Sequence, residues 1–390
     1  MNFTETEEQV ALRKAVAELG RRYGHEYAAP RARSREPLSE LWKEAGQSGF
    51  VGINLPEEFG GGGAGMYELA IVGEELNAAG CGLLMLVVSP AINGTIIAKY
   101  GTDSQKQRWL PGLASGETIM AFGVTEPDAG SNTHKITTTA RRDGDDWVLN
   151  GRKYYVSGVD HAQAILIVAR TEDARTGKLK PALFAFPTDT PGFEYTAIDM
   201  DVVMPDRQFM LYLDDVRLPA DALIGEDPDA SDAALAQLFA GLNPERIMAA
   251  AGSVGMGRYA LDKAVGYANE RAVWGGKPIG THQGISHPLA KAKVELELSK
   301  LMMQKAASLY DSGDEMGAGE SANMAKYAAA EAAIAAVDQA VQTHGGNGLA
   351  HEYGLGNLVL GARVARIAPV SREMILNFVA QFSLGLPKSY

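Results

Sequence analysis

The 390-residue chain has a single cysteine, Cys81, which excludes an intramolecular disulfide framework and a cysteine-cluster metal site. Its seven histidines include no H-x-x-x-H pair that would set two imidazoles on one helical face, so no metal is expected. No run approaches the ~18–20 apolar residues of a membrane span. Basic runs are also missing, and a net charge of −12 with a pI near 5.2 argues against a nucleic-acid partner. The N-terminus, Met1-Asn-Phe-Thr-Glu-Thr-Glu-Glu8, lacks the basic-then-apolar layout of a secretory signal. A cytoplasmic protein is expected. What is present is globular, with 46% apolar and 22% charged residues and enough chain for two or three domains.

The hydrophobic period changes twice along the chain. Residues 1–118 read as an all-α domain, with apolar positions every three or four residues over 7–23, 67–79 and 91–100. Over 119–228 the period becomes two, giving a β-barrel or sandwich domain with strands expected at 135–140, 147–149, 153–156, 164–168, 183–186 and 209–213. Asn150-Gly151, between two of these runs, reads as a hairpin turn. Residues 229–390 return to long amphipathic patterns and read as a four-helix bundle, including an alanine-heavy helix over 324–341 that Gly345-Gly346 would end. The fold class is therefore α+β. Gly60, Gly62 and Gly65 satisfy G-x-G-x-x-G, but no strand precedes them and no βαβ pattern follows. They read as a connection between helices.

The most informative segment is Ala121-Phe-Gly-Val-Thr-Glu-Pro-Asp-Ala-Gly-Ser-Asn-Thr133. Pro127 fixes its own φ and restricts Glu126, while Gly130 admits a close backbone approach. Thr125 and Ser131 offer hydroxyls beside free amides, suited to a polar or anionic ligand. On these residues alone an ordinary polar surface loop is an equal reading.

Four separated motifs, taken together and in order, resemble those of the acyl-CoA dehydrogenases across nearly the whole chain. They are Val124-Thr-Glu-Pro-Asp-Ala-Gly-Ser131, Lys153-Tyr-Tyr-Val-Ser157, Asp214-Asp-Val-Arg-Leu-Pro219 with Leu223-Ile-Gly-Glu226, and Gln342-Thr-His-Gly-Gly-Asn-Gly348. The resemblance implies FAD held between the β-domain and the bundle, and a homo-oligomer, tetramer or dimer, in which a neighbouring subunit completes each site. It places Phe122, Val124, Thr125, Gly130, Ser131, Tyr155 and Ser157 against the flavin and its ribityl chain. Arg271, Trp274, His282 and Gln283 would reach the cofactor from the bundle, and Gln342, Gly345, Gly346, Ser371 and Glu373 would cover the adenosine end. Ser131, Asn243 and Arg246 would lie along the acyl-CoA channel. Without the resemblance Arg271 is a solvated helix arginine; with it, its planar fork suits a pyrophosphate.

Oxidising an acyl thioester at Cα–Cβ requires a base for the Cα proton and a polarised carbonyl. The family carries the base either near the C-terminus or in the first long helix of the bundle. The first position falls at Pro369, which accepts no proton, and the second at Glu245, as in isovaleryl- and long-chain-type members. Taken alone, Glu245 after Pro244 is a favourable charge near a helix start; in the family it is the base, its proton affinity raised by burial. A backbone amide and a ribityl hydroxyl would polarise the carbonyl. Electrons would leave through an electron-transferring flavoprotein. Tyr155, Leu360-Gly-Ala-Arg363 and Glu373 depart from the family pattern and suggest a divergent branch. The small residues Ser89, Pro90, Ala91, Asn93 and Gly94 are candidates for shaping the acyl pocket. A flavin oxidase or monooxygenase, an enoyl-thioester reductase and a non-catalytic acyl-CoA-binding flavoprotein remain alternatives on the same fold.

Overall fold

The computed structural model describes residues 4–173, 176–226 and 233–388. The boundary expected between 228 and 229 lies outside these residues. The first layer consists of α1 (Glu7–Ser34), α2 (Ser39–Gln47), α3 (Met66–Ala78), α4 (Thr95–Tyr100) and α5 (Asp103–Ser115). Thr6 starts α1 and Thr102 starts α5, each through a capping box with a glutamine three residues on. Helix α3 is buried along most of its length, Glu74 included, whose charge is met by Arg13 at 2.9 Å and Lys300 at 3.0 Å. Gly60 has φ +84°, and a Cβ on Gly62 would lie 2.8 Å from the Ile53 carbonyl oxygen. The glycine run is thus a tight connection folded onto residues 53–55.

The middle layer is one seven-stranded sheet formed by β1 (Met120–Gly123), β2 (Thr139–Asp143), β3 (Asp146–Ser157), β4 (Ala164–Glu172), β5 (Leu179–Pro187), β6 (Phe193–Ile198) and β7 (Gln208–Leu218). The hydrogen-bonded order is β1-β4-β2-β3-β7-β6, with β5 also on β4. Central β4 is buried on both faces from Ala164 to Ala169, which explains its unbroken apolar run. The Asn150-Gly151 hairpin does not form. Strand β3 runs straight through it, with Gly151 at φ +152° in a register shift against β7 and the Asn150 side chain bonded to Asp215 across the pair. The turn lies earlier, where Asp143 pairs with Asp146 and Gly144 takes φ +66°.

The last layer is built on three long helices, α6 (Ala233–Glu270), α7 (Gln283–Asp311) and α8 (Glu315–His344), followed by the shorter α9 (Leu358–Ile367) and α10 (Arg372–Phe378). Alanines at 318, 322, 325, 329, 333, 336 and 340 are buried on α8, so the neighbouring helices approach closely. Gly345, at φ +59°, caps α8. No helix among the described residues is long and apolar enough to cross a membrane.

Candidate active site

The loop after β1 is held from behind. Glu126 is buried, and its carboxylate accepts the amides of Thr137 (2.5 Å) and Thr138 (2.9 Å) and the Lys153 ammonium (2.9 Å). Burial pushes the Glu126 carboxyl up, but the Thr138 hydrogen bond and the Lys153 charge overcome it and hold the group down at about 2. Burial pulls Lys153 down to about 8 against the opposing effect of Glu126, so both are charged at neutral pH. Lys153 also donates to the Val124 carbonyl (3.1 Å), and the Tyr154 amide donates to Thr125 O (2.8 Å). These bonds bring Val124 and Thr125 beside β3.

On β3 a second register shift, between Lys153 and Val156, accompanies a left-handed Tyr155 at φ +56°. Its ring is 51% exposed and lies 4.2 Å from that of Tyr154. The Ser157 hydroxyl, half-buried, bonds Gln208 at 3.1 Å. Phe122, Val124, Thr125, Tyr155 and Ser157 therefore belong to two adjoining segments, while Gly130 and Ser131 stand exposed at the tip of the loop. Two aromatic rings tilted by 57° to one another, with hydroxyls beside them, offer the apolar surface and donors that a flavin ring and its ribityl chain need.

The helical side is carried by α6. Pro244 lies within α6 rather than at its start, as the sequence suggested. A proline there lacks the N–H that would bond the carbonyl of residue 240, and the Tyr310 hydroxyl donates to that carbonyl at 3.4 Å. Next to it, Glu245 is half-buried and has no hydrogen-bond partner among the described residues. Burial raises its carboxyl to about 7, against the pull of the Arg246 and Lys326 charges. Arg246 bonds Leu242 O (3.1 Å) and Asn243 Oδ1 (3.3 Å), and its buried Nε has no partner.

Helix α6 meets the sheet through the π-helical turn Val87–Gly94. A Cβ on Gly241 would lie 2.9 Å from Ile92 and Ile96, so only glycine allows this approach. Ser89 accepts the Met120 amide (3.1 Å), and Asn93 donates to the carbonyls of Met120 (2.9 Å) and Ala121 (3.1 Å), tying the turn to β1. Phe122, Val124 and Leu242 consequently flank one apolar cluster. Ser89, Pro90, Ala91, Asn93 and Gly94 are all buried within this junction.

The remaining predicted positions form other groups. Arg271, Trp274, His282 and Gln283 are exposed between α6 and α7, with Trp274 at 93%. Gln342, Gly345 and Gly346 are exposed at the end of α8, and a Cβ on either glycine would meet nothing within 4 Å. Ser371 caps α10, and Glu373 pairs with Arg372 at 3.0 Å. No hydrogen bond or ion pair among the described residues joins any of these to Ser157 or Glu245. The sequence reading gave no role to Lys326, which is sealed inside the bundle and donates to the Val370 carbonyl. A lone lysine among alanines 322, 325, 329 and 330 was the available signal.

Fold and site together define an α+β protein with a weakly acidic carboxyl on the first long helix of the bundle and an aromatic, hydroxyl-edged segment on the sheet. Comparison places that architecture. The acyl-CoA dehydrogenase N-terminal, middle and C-terminal domains match residues 6–117, 121–216 and 235–384. The chain is 67% identical over 389 residues to acyl-CoA dehydrogenase FadE12 of Mycobacterium tuberculosis, covering 100% of this chain and 99% of that one. Among solved structures it is similar to the glutaryl-coenzyme A dehydrogenase–glutaryl-CoA complex (TM-score 0.92, 30% identity, 100% and 98% covered). It is also similar to a glutaryl-CoA dehydrogenase from Mycobacterium smegmatis in complex with FADH2 (TM-score 0.90, 28% identity, 99% and 96% covered). The chain belongs to the acyl-CoA dehydrogenase family of FAD-dependent oxidoreductases.

Proposed function

We propose that the protein carries out α,β-dehydrogenation of an acyl-CoA thioester to the trans-2-enoyl-CoA, with Glu245 as the base that removes the Cα proton. The observation that carries this reading is the half-buried, unpartnered Glu245, whose proton affinity is raised to about 7. A base poised near neutrality suits the removal of a weakly acidic proton. Pro369 stands at the alternative position and offers no carboxylate. When bound, FAD supplies the acceptor for the hydride that leaves Cβ.

The other assignments follow the same reading. Phe122, Val124, Thr125, Gly130, Ser131, Tyr155 and Ser157 form the flavin shelf. Asn243 and Arg246 line the acyl-CoA channel together with Ser131. Arg271, Trp274, His282, Gln283, Gln342, Gly345, Gly346, Ser371 and Glu373 contact cofactor across an interface between copies of the chain. Exposure of Trp274 and of Val294 and Leu298 on one stripe of α7, at 58% and 62%, supports a homo-oligomer, since such side chains are otherwise costly in water. An electron-transferring flavoprotein is the proposed acceptor.

Anaerobic titration of the FAD-loaded protein with short, long, branched and aromatic acyl-CoA thioesters tests the proposal. Bleaching of the oxidised flavin bands, with slow recovery in air, is the expected result. A flavin spectrum untouched by every thioester overturns it, and rapid reoxidation in air points instead to an oxidase or monooxygenase.

A further inference from the structure

Helices α6 and α8 lie side by side and parallel. A Cβ on Gly319 would lie 3.5 Å from Asn243, and one on Gly257 would lie 3.4 Å from Ala333, at the same offset along both chains. Lys326 therefore stands about one turn past the level of Arg246, and a long helical side chain leans back toward the N-terminus of its helix. This direction points its ammonium toward the turn that carries Glu245, whose charge acts on it. From there it reaches the segment between α9 and α10 and donates to the carbonyl of Val370, next to Pro369.

The charges around Lys326 are unequally committed. Glu331, on α8, is held by Arg366 of α9, with Arg372 at 3.8 Å, and Glu373 of α10 pairs with Arg372 at 3.0 Å. On α6, Glu245 has no hydrogen-bond or ion-pair partner among the described residues, and Arg246 is bonded to Leu242 O and Asn243. Of the carboxylates Glu245, Glu373 and Glu331 that act on Lys326, Glu245 alone lacks, among the described residues, a guanidinium within ion-pair distance.

We propose that Lys326 is a positioning residue for Glu245: it clamps the 368–371 segment to α8 and sets a positive charge where the carboxylate form of the base needs one. The inference rests on the assignment of Glu245 as base. In members with a carboxylate near the C-terminus, the 368–371 segment would itself carry the base; here it contributes a backbone carbonyl that anchors the cation. Burial of Glu245 favours the neutral acid, and Lys326 and Arg246 oppose that tendency. Lys326 is itself pulled down to about 8, first by burial and then by Arg246, so its charge is present at neutral pH.

Infrared titration of the FAD-loaded protein tests this without turnover. The carboxylic C=O band that disappears in Glu245→Gln identifies the Glu245 proton. Its midpoint should rise by roughly one unit in Lys326→Met and return toward the wild-type value in Lys326→Arg. The midpoint of flavin reduction against pH should move in the same direction. An unchanged midpoint in Lys326→Met, with only a lower Tm, reduces Lys326 to a structural residue and overturns the proposal. If Lys326→Met does not fold, Lys326→Gln, which keeps a donor toward Val370 without the charge, decides by the same shift. Failure of the base assignment is read separately: Glu245→Gln would then reduce its flavin at the wild-type rate, whatever the infrared midpoints show.

Discussion

Lys153 and Glu126 lie 2.9 Å apart, both side chains sealed from solvent, on opposite sides of the joint between the loop after β1 and strand β3. Breaking such a pair strands a buried charge, so Lys153→Met should cost about 3–5 kcal/mol in denaturant unfolding. Replacing both partners with apolar residues should cost less than the single change. Equal losses in the single and double variants would show that the pair does not anchor the loop.

The same pair sets an acid limit. The folded state holds Glu126 at about 2 against an ordinary value of 4.5, so its contribution is complete above 4.5 and is lost as pH falls toward 2. Wild-type stability should drop through that window, and Glu126→Gln, already weaker at neutral pH, should drop less. Chemical denaturation at a series of pH values measures both slopes.

Glu245→Gln should lower the rate of flavin reduction by at least ~10²-fold while FAD stays bound, as read by stopped-flow absorbance. Retention of the oxidised flavin spectrum in the variant separates lost chemistry from a lost site.

Glu245 should also leave a pH signature of opposite sign to that of Glu126. Its carboxyl is raised from 4.5 to about 7, so the folded state binds an extra proton between those values and loses stability relative to Glu245→Gln as pH climbs through them. Above 7 the gap should be constant. With Glu245 as the proposed base, reduction by substrate would need the carboxylate, so its rate should increase with pH through about 7.

Leu298→Glu, on the exposed apolar stripe of α7, should yield a smaller species by light scattering. An unchanged mass would remove this face from the interface.

Much of the layer order was legible because the change of hydrophobic period, from helical to alternating and back, is dictated by which face each element buries. The proposed base was legible only through the order of four motifs, since a glutamate after a proline has an ordinary explanation. Tertiary geometry hid the rest. Asn150-Gly151 carries the strongest turn chemistry in the chain, yet cross-strand bonds to Asp215 keep it inside β3, and the turn went to Gly144-Asp145. The short strand Phe193–Ile198, half exposed, had too weak an alternation to register. Nothing in the sequence pairs Lys153 with Glu126 or Lys326 with the Val370 carbonyl, because each partner comes from a separate segment.

The hold of Lys326 on Val370 ties the tail to the interior of the bundle. A chain cut before residue 369 would keep Glu245 and the whole sheet, yet leave an ammonium inside the bundle without its Val370 acceptor and with Arg246 as its cationic neighbour. Such a truncation would weaken that lysine's hold on its proton, and the proposed base would lose its proposed counter-charge from a cut made more than a hundred residues downstream.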